Sequence, residues 1–357
     1  MKYIVQFIRF TVALTFIFSG FVKMIDPVGT QIKMAEYFSE DVLNLPFLTP
    51  WALEISVMLI LLEFVLGVWL LIGYKPGFSL KALTVLITIF LFLTGYSALY
   101  NKVTDCGCFG DAVKLSNWET FYKNIVLFVF ILYLLFNQKY IKALWGRKVT
   151  TGTAYSLSLT ALLLMIYTIR HLPLIDFRPY AVGKNINEGM RIPDDAPKAR
   201  FKEIWYYKVN GKIKEFGTDE APWNIKGAEF IDRKTITLSE GYTPPIHDFS
   251  IENETDGDIT QSVLKVPEIY LIISANPSGI SRKAKHKVNM YAKKLQKENK
   301  QVIGLFSVID ENLKNDFDFP LYLTDATTLK TMIRSNPGVI KLNTGTVVEK
   351  KAWRDLD

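Results

Sequence analysis

Apolar positions crowd the first half of this chain and thin out abruptly near residue 170. Five runs, 4–22, 51–72, 80–100, 118–136 and 153–169, are apolar over the span a helix needs to cross a bilayer, roughly 17–25 residues. Each is expected to form a transmembrane helix. Arg9, about one turn inside the first, is expected to reach back to the nearer interface. Lys23 and Asp26 are expected to pair locally and fix the end of that helix. Trp51 and Trp118 sit near segment ends, as interfacial anchors do. In 26–50, Ile32, Met34, Ala35, Tyr37 and Phe38 stand among Lys33, Glu36 and Glu40, which predicts a surface helix lying on the membrane. Ser116 followed by Glu119 predicts a capping box that opens the fourth span.

After residue 170 the periodicity changes. Residues 171–197 read as a Pro-rich linker. Strand-like pieces at 204–209 and 213–216 flank Asn210-Gly211, a hairpin signal. Short buried-strand runs follow at 268–274, 302–308 and 321–323, with helical patterns at 282–299 and 327–333. The strands at 338–342 and 346–350 close the pattern as a hairpin. Strands alternating with helices indicate an α/β layer fold. The predicted fold class is therefore a multi-pass α-helical membrane bundle followed by an α/β soluble domain.

Charge adds an orientation. The chain carries 42 basic and 35 acidic residues. Up to Arg170 there are 14 basic and 9 acidic residues, which leaves 28 and 26 for the remainder. With the N-terminus inside, eight basic residues lie at cytoplasmic helix ends and six at the opposite ends. The loop 137–149 decides it, with Lys139, Lys142, Arg147 and Lys148 and no acid. Five crossings then place the loop after Tyr100 and the C-terminal domain outside the cytoplasm. The expected location is a bacterial inner membrane with the C-terminal domain periplasmic. The first run lacks a small-residue cleavage site and is expected to be retained. The basic surplus matches cytoplasmic loops and carries no nucleic-acid footprint.

The chain has two cysteines, Cys106 and Cys108, in Thr104-Asp105-Cys106-Gly107-Cys108-Phe109-Gly110-Asp111. A Cys-X-Cys pair can cycle between a dithiol and a small ring disulfide. A bridge this short closes almost no loop, so a purely structural role gains little entropy. No other cysteine exists in the chain, so any exchange partner is a separate molecule. A zinc site would add Asp105 and Asp111 to the two thiols, short of the four Cys/His ligands that structural zinc usually takes. No metal is expected. Glu63 falls in mid-span. It either satisfies a neighbouring polar group such as Thr88 or Ser97, or carries a proton. His171, His247 and His286 show no ligand spacing. The basic segment 282–300 reads as a solvated face, or as a site for an acidic partner or lipid headgroups.

Two resemblances follow from these motifs. The first span ends in Ser19-Gly20, then Lys23, Asp26 and Pro27. The second carries Glu63-Phe64-Val65-Leu66-Gly67 and ends at Gly73, and Lys81 opens the third. With the Cys-Gly-Cys-Phe-Gly loop and Lys123-Asn124, residues 1–136 resemble the DoxX/MauE family. The resemblance implies a four-helix membrane bundle linked to quinone-coupled sulfur chemistry and to maturation of disulfide-containing periplasmic enzymes. The second resemblance covers 245–353, which is similar to thioredoxin-like domains of the TlpA kind. His247-Asp248-Phe249-Ser250-Ile251 matches their opening, and Asn336-Pro337-Gly338-Val339-Ile340 falls where the family has its cis-proline, at Pro337. The redox slot reads Ser278-Gly279-Ile280-Ser281, so this domain has no thiol for disulfide exchange.

The expected division is thus 1–136 as the DoxX/MauE-like bundle and 137–170 as cytoplasmic loop and fifth span. A linker and small β-rich region follow at 171–244, then a thioredoxin-like domain at 245–357. The expected function is extracytoplasmic thiol–disulfide redox at Cys106 and Cys108, with Glu63 as proton carrier and Asp105, Gly107, Phe109, Gly110 and Asp111 as the supporting loop. Quinone is the candidate cofactor. The alternative is a non-enzymatic assembly or binding subunit whose cysteine-free domain holds a partner. The implied partners are the bilayer and an extracytoplasmic client or envelope-complex subunit. Five spans with no internal repeat and few buried charges give a transporter little support.

Overall fold

The computed structural model describes residues 1–103, 109–113, 115–239, 241–253 and 255–357. Six helices open the chain: α1 (Lys2–Ile25), α2 (Pro27–Phe38), α3 (Ala52–Ile72), α4 (Pro76–Tyr100), α5 (Asn117–Phe136) and α6 (Arg147–Arg170). All but α2 are long and apolar enough to cross a membrane. They form a multi-pass bundle. α1 packs on α3, α4 on α5, and α6 on α3 and α1. Val12, Phe16, Leu66, Leu83, Ile87 and Ile131 fill its centre. α1 and α3 touch almost backbone to backbone: a Cβ on Gly20 would lie 2.8 Å from the Phe64 nitrogen. Small residues permit such approach where packing, not water, drives helix association. Phe7, Leu14, Val85, Phe92 and Val129 remain exposed on the outside of the bundle, as a hydrocarbon solvent favours.

Two details of the bundle, in α2 and α6, differ from expectation. Arg9 is 1% exposed. Its guanidinium donates to the carbonyls of Leu70 (2.9 Å), Leu71 (2.7 Å) and Lys142 (3.1 Å), and to Gln6 Oε1 (2.9 Å). These carbonyls include the unsatisfied C-terminal end of α3, where a cation also meets the negative end of the helix dipole. α2 turns its apolar face to the bundle rather than to lipid. Met34 and Phe38 pack with Ala52 of α3, and the Tyr37 hydroxyl shares a 2.8 Å hydrogen bond with Ser97 Oγ of α4. α6 starts at Arg147, so Arg147 and Lys148 belong to its first turn rather than to a loop.

The second half holds two sheets. After α7 (Ile186–Met190), β1 (Arg200–Val209), β2 (Lys212–Gly217) and β3 (Glu229–Ser239) form an antiparallel sheet in the order β2-β1-β3. Next come β4 (Glu252–Asn253), β5 (Gly257–Asp258), α8 (Thr260–Leu264), β6 (Ile269–Ser274), α9 (Arg282–Lys297) and β7 (Gln301–Phe306). The chain finishes with α10 (Glu311–Asp316), β8 (Leu321–Leu323), α11 (Ala326–Met332), β9 (Gly338–Asn343) and β10 (Thr346–Ala352). These strands make a mixed sheet in the order β10-β9-β6-β7-β8-β4-β5, with β6, β7 and β8 parallel and β9 antiparallel to β6. Alternation along β6 explains the layers. Ile269, Leu271 and Ile273 face one core with α8 and α11 residues, while Tyr270 and Ile272 face the other with α9.

The stretch read as a linker is partly built into this domain. Tyr180 and Ile186 enter its core. Gly183 N donates to Val347 O (2.7 Å) and Ile186 N to Gly345 O (2.8 Å). The three-stranded sheet is therefore inserted between two parts of one packed unit.

Arg9→Met leaves three carbonyls without their donor. It is expected to destabilise the detergent-solubilised chain by about 1–3 kcal/mol for each group left buried and unpaired. Thermal unfolding checks this, and an unchanged midpoint would contradict the capping role.

Candidate functional site

Asp105, Cys106, Gly107 and Cys108 lie outside the described residues. The chain on either side of them is well anchored. Upstream, the Val103 carbonyl accepts 2.8 Å from Asn117 Nδ2 at the start of α5. Downstream, the Phe109 ring sits 5.4 Å from Phe18 of α1 and carries Lys123 Nζ of α5 over its face at 4.2 Å. Gly110 adopts φ +52°, with a notional Cβ 3.2 Å from Val22, so a side chain there meets both backbone strain and α1. Ser116 caps α5 through the Glu119 amide, and the Glu119 carboxylate accepts from Ser116 N at 2.8 Å.

Gly110 and Asp111 line a cavity of about 330 Å³. Val22, Lys23 and Asp26 from the end of α1 line it, as do α2 and Phe90 and Thr94 of α4. Its roof comes from the C-terminal domain: residues 173–178 together with Thr327, Lys330, Thr331 and Arg334. The cavity therefore lies between the membrane bundle and the mixed sheet.

Lys23 is in its wall and Glu63 lies behind. Lys23 Nζ approaches Glu63 Oε2 at 2.7 Å and Oε1 at 3.0 Å, and donates to Ser19 Oγ at 3.0 Å. The residues are 7% and 3% exposed. Two of the expected contacts are thereby corrected. Glu63 is satisfied by Lys23, not by Thr88 or Ser97. Lys23 turns to Glu63 rather than to Asp26, because positions 19 and 23 share the face of α1 that meets α3. A buried charge needs an opposite charge more than a surface one does.

Asp26 is free for a different task. It accepts from Gly29 N at 2.9 Å, capping α2, and from Arg334 Nε at 2.8 Å. Arg334 Nη2 also lies 3.6 Å from Asp111. One guanidinium thus ties the C-terminal domain to the end of α1 and to the segment that follows Cys108. The roof holds a second cluster, with Arg178 Nε 2.7 Å and Lys350 Nζ 2.7 Å from Asp176. Burial pushes the Asp176 carboxyl up, but Arg178 and Lys350 outweigh it and hold it below the ordinary value. Burial first, then Arg178, pulls Lys350 down to about 8.

The slot Ser278–Ser281 lies at the start of α9. Ser281 caps the helix by accepting from Ala284 N, and Ser278 Oγ donates to Asn276 Oδ1 at 2.9 Å. The Asn336–Pro337 bond is cis. Asn336 Oδ1 accepts from Ser274 Oγ (2.7 Å) and Asn276 N (3.3 Å), joining that turn to the slot. These serines lie apart from the cavity lining, whereas Gly110 and Asp111 are in it. Sequence reasoning missed Arg334, Asp176 and Arg178. Each sits in text without a motif; Arg334 finds Asp26 and Asp176 finds Lys350 far away along the chain, while Asp176 and Arg178 are local partners.

Residues 1–137 match the family model described as methylamine utilisation protein MauE. The MauE-like part thus takes in α1 to α5, the cysteine loop, Lys23 and Glu63, while α6 and both sheets lie beyond it. No curated protein and no solved structure matches the chain.

Removing one member of the Lys23–Glu63 pair leaves the other charge buried alone. Lys23→Met or Glu63→Leu is expected to destabilise the fold by about 3–5 kcal/mol, and the double variant by much less than the sum. A double-mutant cycle on thermal unfolding measures this, and additive losses would contradict a direct pair.

Proposed function

We propose that the chain is a MauE-type membrane redox protein that exchanges disulfides with an extracytoplasmic client through Cys106 and Cys108. The observation that carries the reading is the cavity. The segment immediately after Cys108 forms part of its wall and is held there by Arg334, Phe18 and Lys123. A space lined by residues that follow Cys108 in the chain, walled by membrane helices and covered by a second domain, would suit a reaction between a protein thiol and a small oxidant.

In this reading the Cys106–Cys108 disulfide takes two electrons from a client dithiol. The client leaves as a disulfide and the pair as two thiols. A quinone of the bilayer then accepts two electrons and two protons from the pair and becomes a quinol, which restores the disulfide. We assign proton handling to Glu63, whose contact with Lys23 opens when it acts. The basic loop 137–149 supports an orientation with the reaction on the periplasmic side of a bacterial inner membrane. The family description, methylamine utilisation, makes an enzyme of amine metabolism a fitting client class.

We read the mixed sheet as thioredoxin-like. A parallel β6-α9-β7 unit, an antiparallel β9 and β10, and Asn336, beside the cis Pro337, bonded to the turn before α9 support it. With serines at 278 and 281 it would cover the cavity and present the client, not exchange electrons. That absence of thiols also favours a second reading, a non-enzymatic subunit that holds a partner. There, a Cys106→Ser/Cys108→Ser variant would keep its stoichiometric partner through gentle detergent purification.

A mass-shifting maleimide applied to intact cells tests the main reading. The cysteines are expected to resist labelling in untreated cells and to become labelled when quinone synthesis is blocked. Cys106→Ser is expected to trap a mixed disulfide with the client. Labelling that ignores quinone supply, with full function retained in Cys106→Ser, would overturn it.

A further inference from the structure

Two depressions run together where α6 meets the C-terminal domain. One, of about 300 Å³, is lined by Arg170, His171, Lys283, Lys287, Trp353 and Arg354. Its neighbour, of about 240 Å³, shares Arg170, His171, Trp353 and Arg354 and adds Ser281, Asn336 and Arg334 among others. Five cationic side chains and no carboxylate line the two. Arg334 is already engaged by Asp26, so the other four carry the unmatched charge.

Several lysines elsewhere in the domain are paired. Lys293 meets Asp318 at 3.1 Å, Lys300 meets Glu268 at 2.7 Å, and Lys351 meets Glu349 at 3.0 Å. Lys285 pairs with Asp316. Among the described residues, Arg170, Lys283, Lys287 and Arg354 have no such partner. Lys287 Nζ donates instead to the Arg354 carbonyl at 2.8 Å. The nearby carboxylate of Asp355 is taken by His171 Nδ1 at 2.5 Å. Lys283 and Lys287 share one face of α9 at i,i+4 spacing. The Arg354 guanidinium lies over the Trp353 ring at 4.4 Å.

Position selects the ligand. Arg170 is the last residue of a membrane-length helix. The polar zone of a bilayer begins where such a helix ends. Cations gathered at that level attract anionic headgroups, and tryptophan prefers the same zone. We propose that the joined depressions bind the phosphate of an anionic phospholipid headgroup. Arg170, Lys283, Lys287 and Arg354 surround it, and Trp353 packs beside its glycerol end. This contact would seat the C-terminal domain on the membrane surface beside α6. It goes beyond the redox reading and does not depend on it.

Native mass spectrometry of the full chain in detergent, titrated separately with phosphatidylglycerol and phosphatidylcholine, tests the proposal. Phosphatidylglycerol is expected to bind selectively. Lys283→Gln, Lys287→Gln and Arg354→Gln are each expected to weaken it about fivefold. Lys283→Arg/Lys287→Arg, which keeps the charge, is expected to retain binding and to show that the fold tolerates change there. Lys293→Gln, on a lysine of α9 paired with Asp318, is expected to leave binding unchanged. Equal binding of the two lipids, or unchanged binding in the triple Gln variant, would overturn the proposal. So would inorganic phosphate occupying the site while phosphatidylglycerol does not.

Discussion

Charge inside an apolar bundle must find a partner there, and the membrane half is arranged around that constraint. Lys23 and Glu63 meet at 2.7 Å where α1 crosses α3. Their pairing fixes the register of the two helices that approach closest at Gly20. Arg9 solves the same problem at the other end of α1 by donating to carbonyls that α3 cannot satisfy itself. These two cations hold α1 to α3 at both ends and leave the space between α1, α2 and α4 open above Lys23. The cavity opens beside the buried pair, with Lys23 in its wall.

Because Lys23 is committed to Glu63, Asp26 can bind Arg334 of the C-terminal domain. The arginine is nearly buried, and it reaches Asp111 as well. A residue far along the chain thereby touches both the end of α1 and the segment that follows the cysteines. The mixed sheet is a roof held in place by specific contacts, with Arg178 and Lys350 on Asp176 reinforcing it from within. A domain with no thiol of its own still has a clear use in such an arrangement. It closes one side of the space that Gly110 and Asp111 line.

Much of this was legible in the sequence wherever the signal is local. The five spans, the capping box at Ser116, the hairpin at Asn210-Gly211 and the alternation of β6 with α9 are all written in neighbouring residues. Pairings between distant elements were not. Lys23 lies three residues from Asp26 and forty from Glu63, and proximity in sequence favoured the wrong partner. Burial decided it, since α1 turns the Lys23 face toward α3. β3 escaped notice because both of its faces are exposed and only Thr235–Ser239 alternates polar and apolar positions, too short a run to mark the strand Glu229–Ser239. Residues 171–197 read as linker because their prolines and glycines hide two apolar anchors, Tyr180 and Ile186. Arg334 had no motif at all. Its importance comes from where the fold carries it.

The most direct test of a redox role is to follow the electrons in a defined system. The purified full chain in lipid, supplied with a soluble quinone and a reduced dithiol peptide, should produce quinol and peptide disulfide in equal amounts. Cys106→Ser and Cys108→Ser should each abolish both products while leaving the fold intact. Quinol formation that persists in either variant, or peptide oxidation without quinol, would contradict the account.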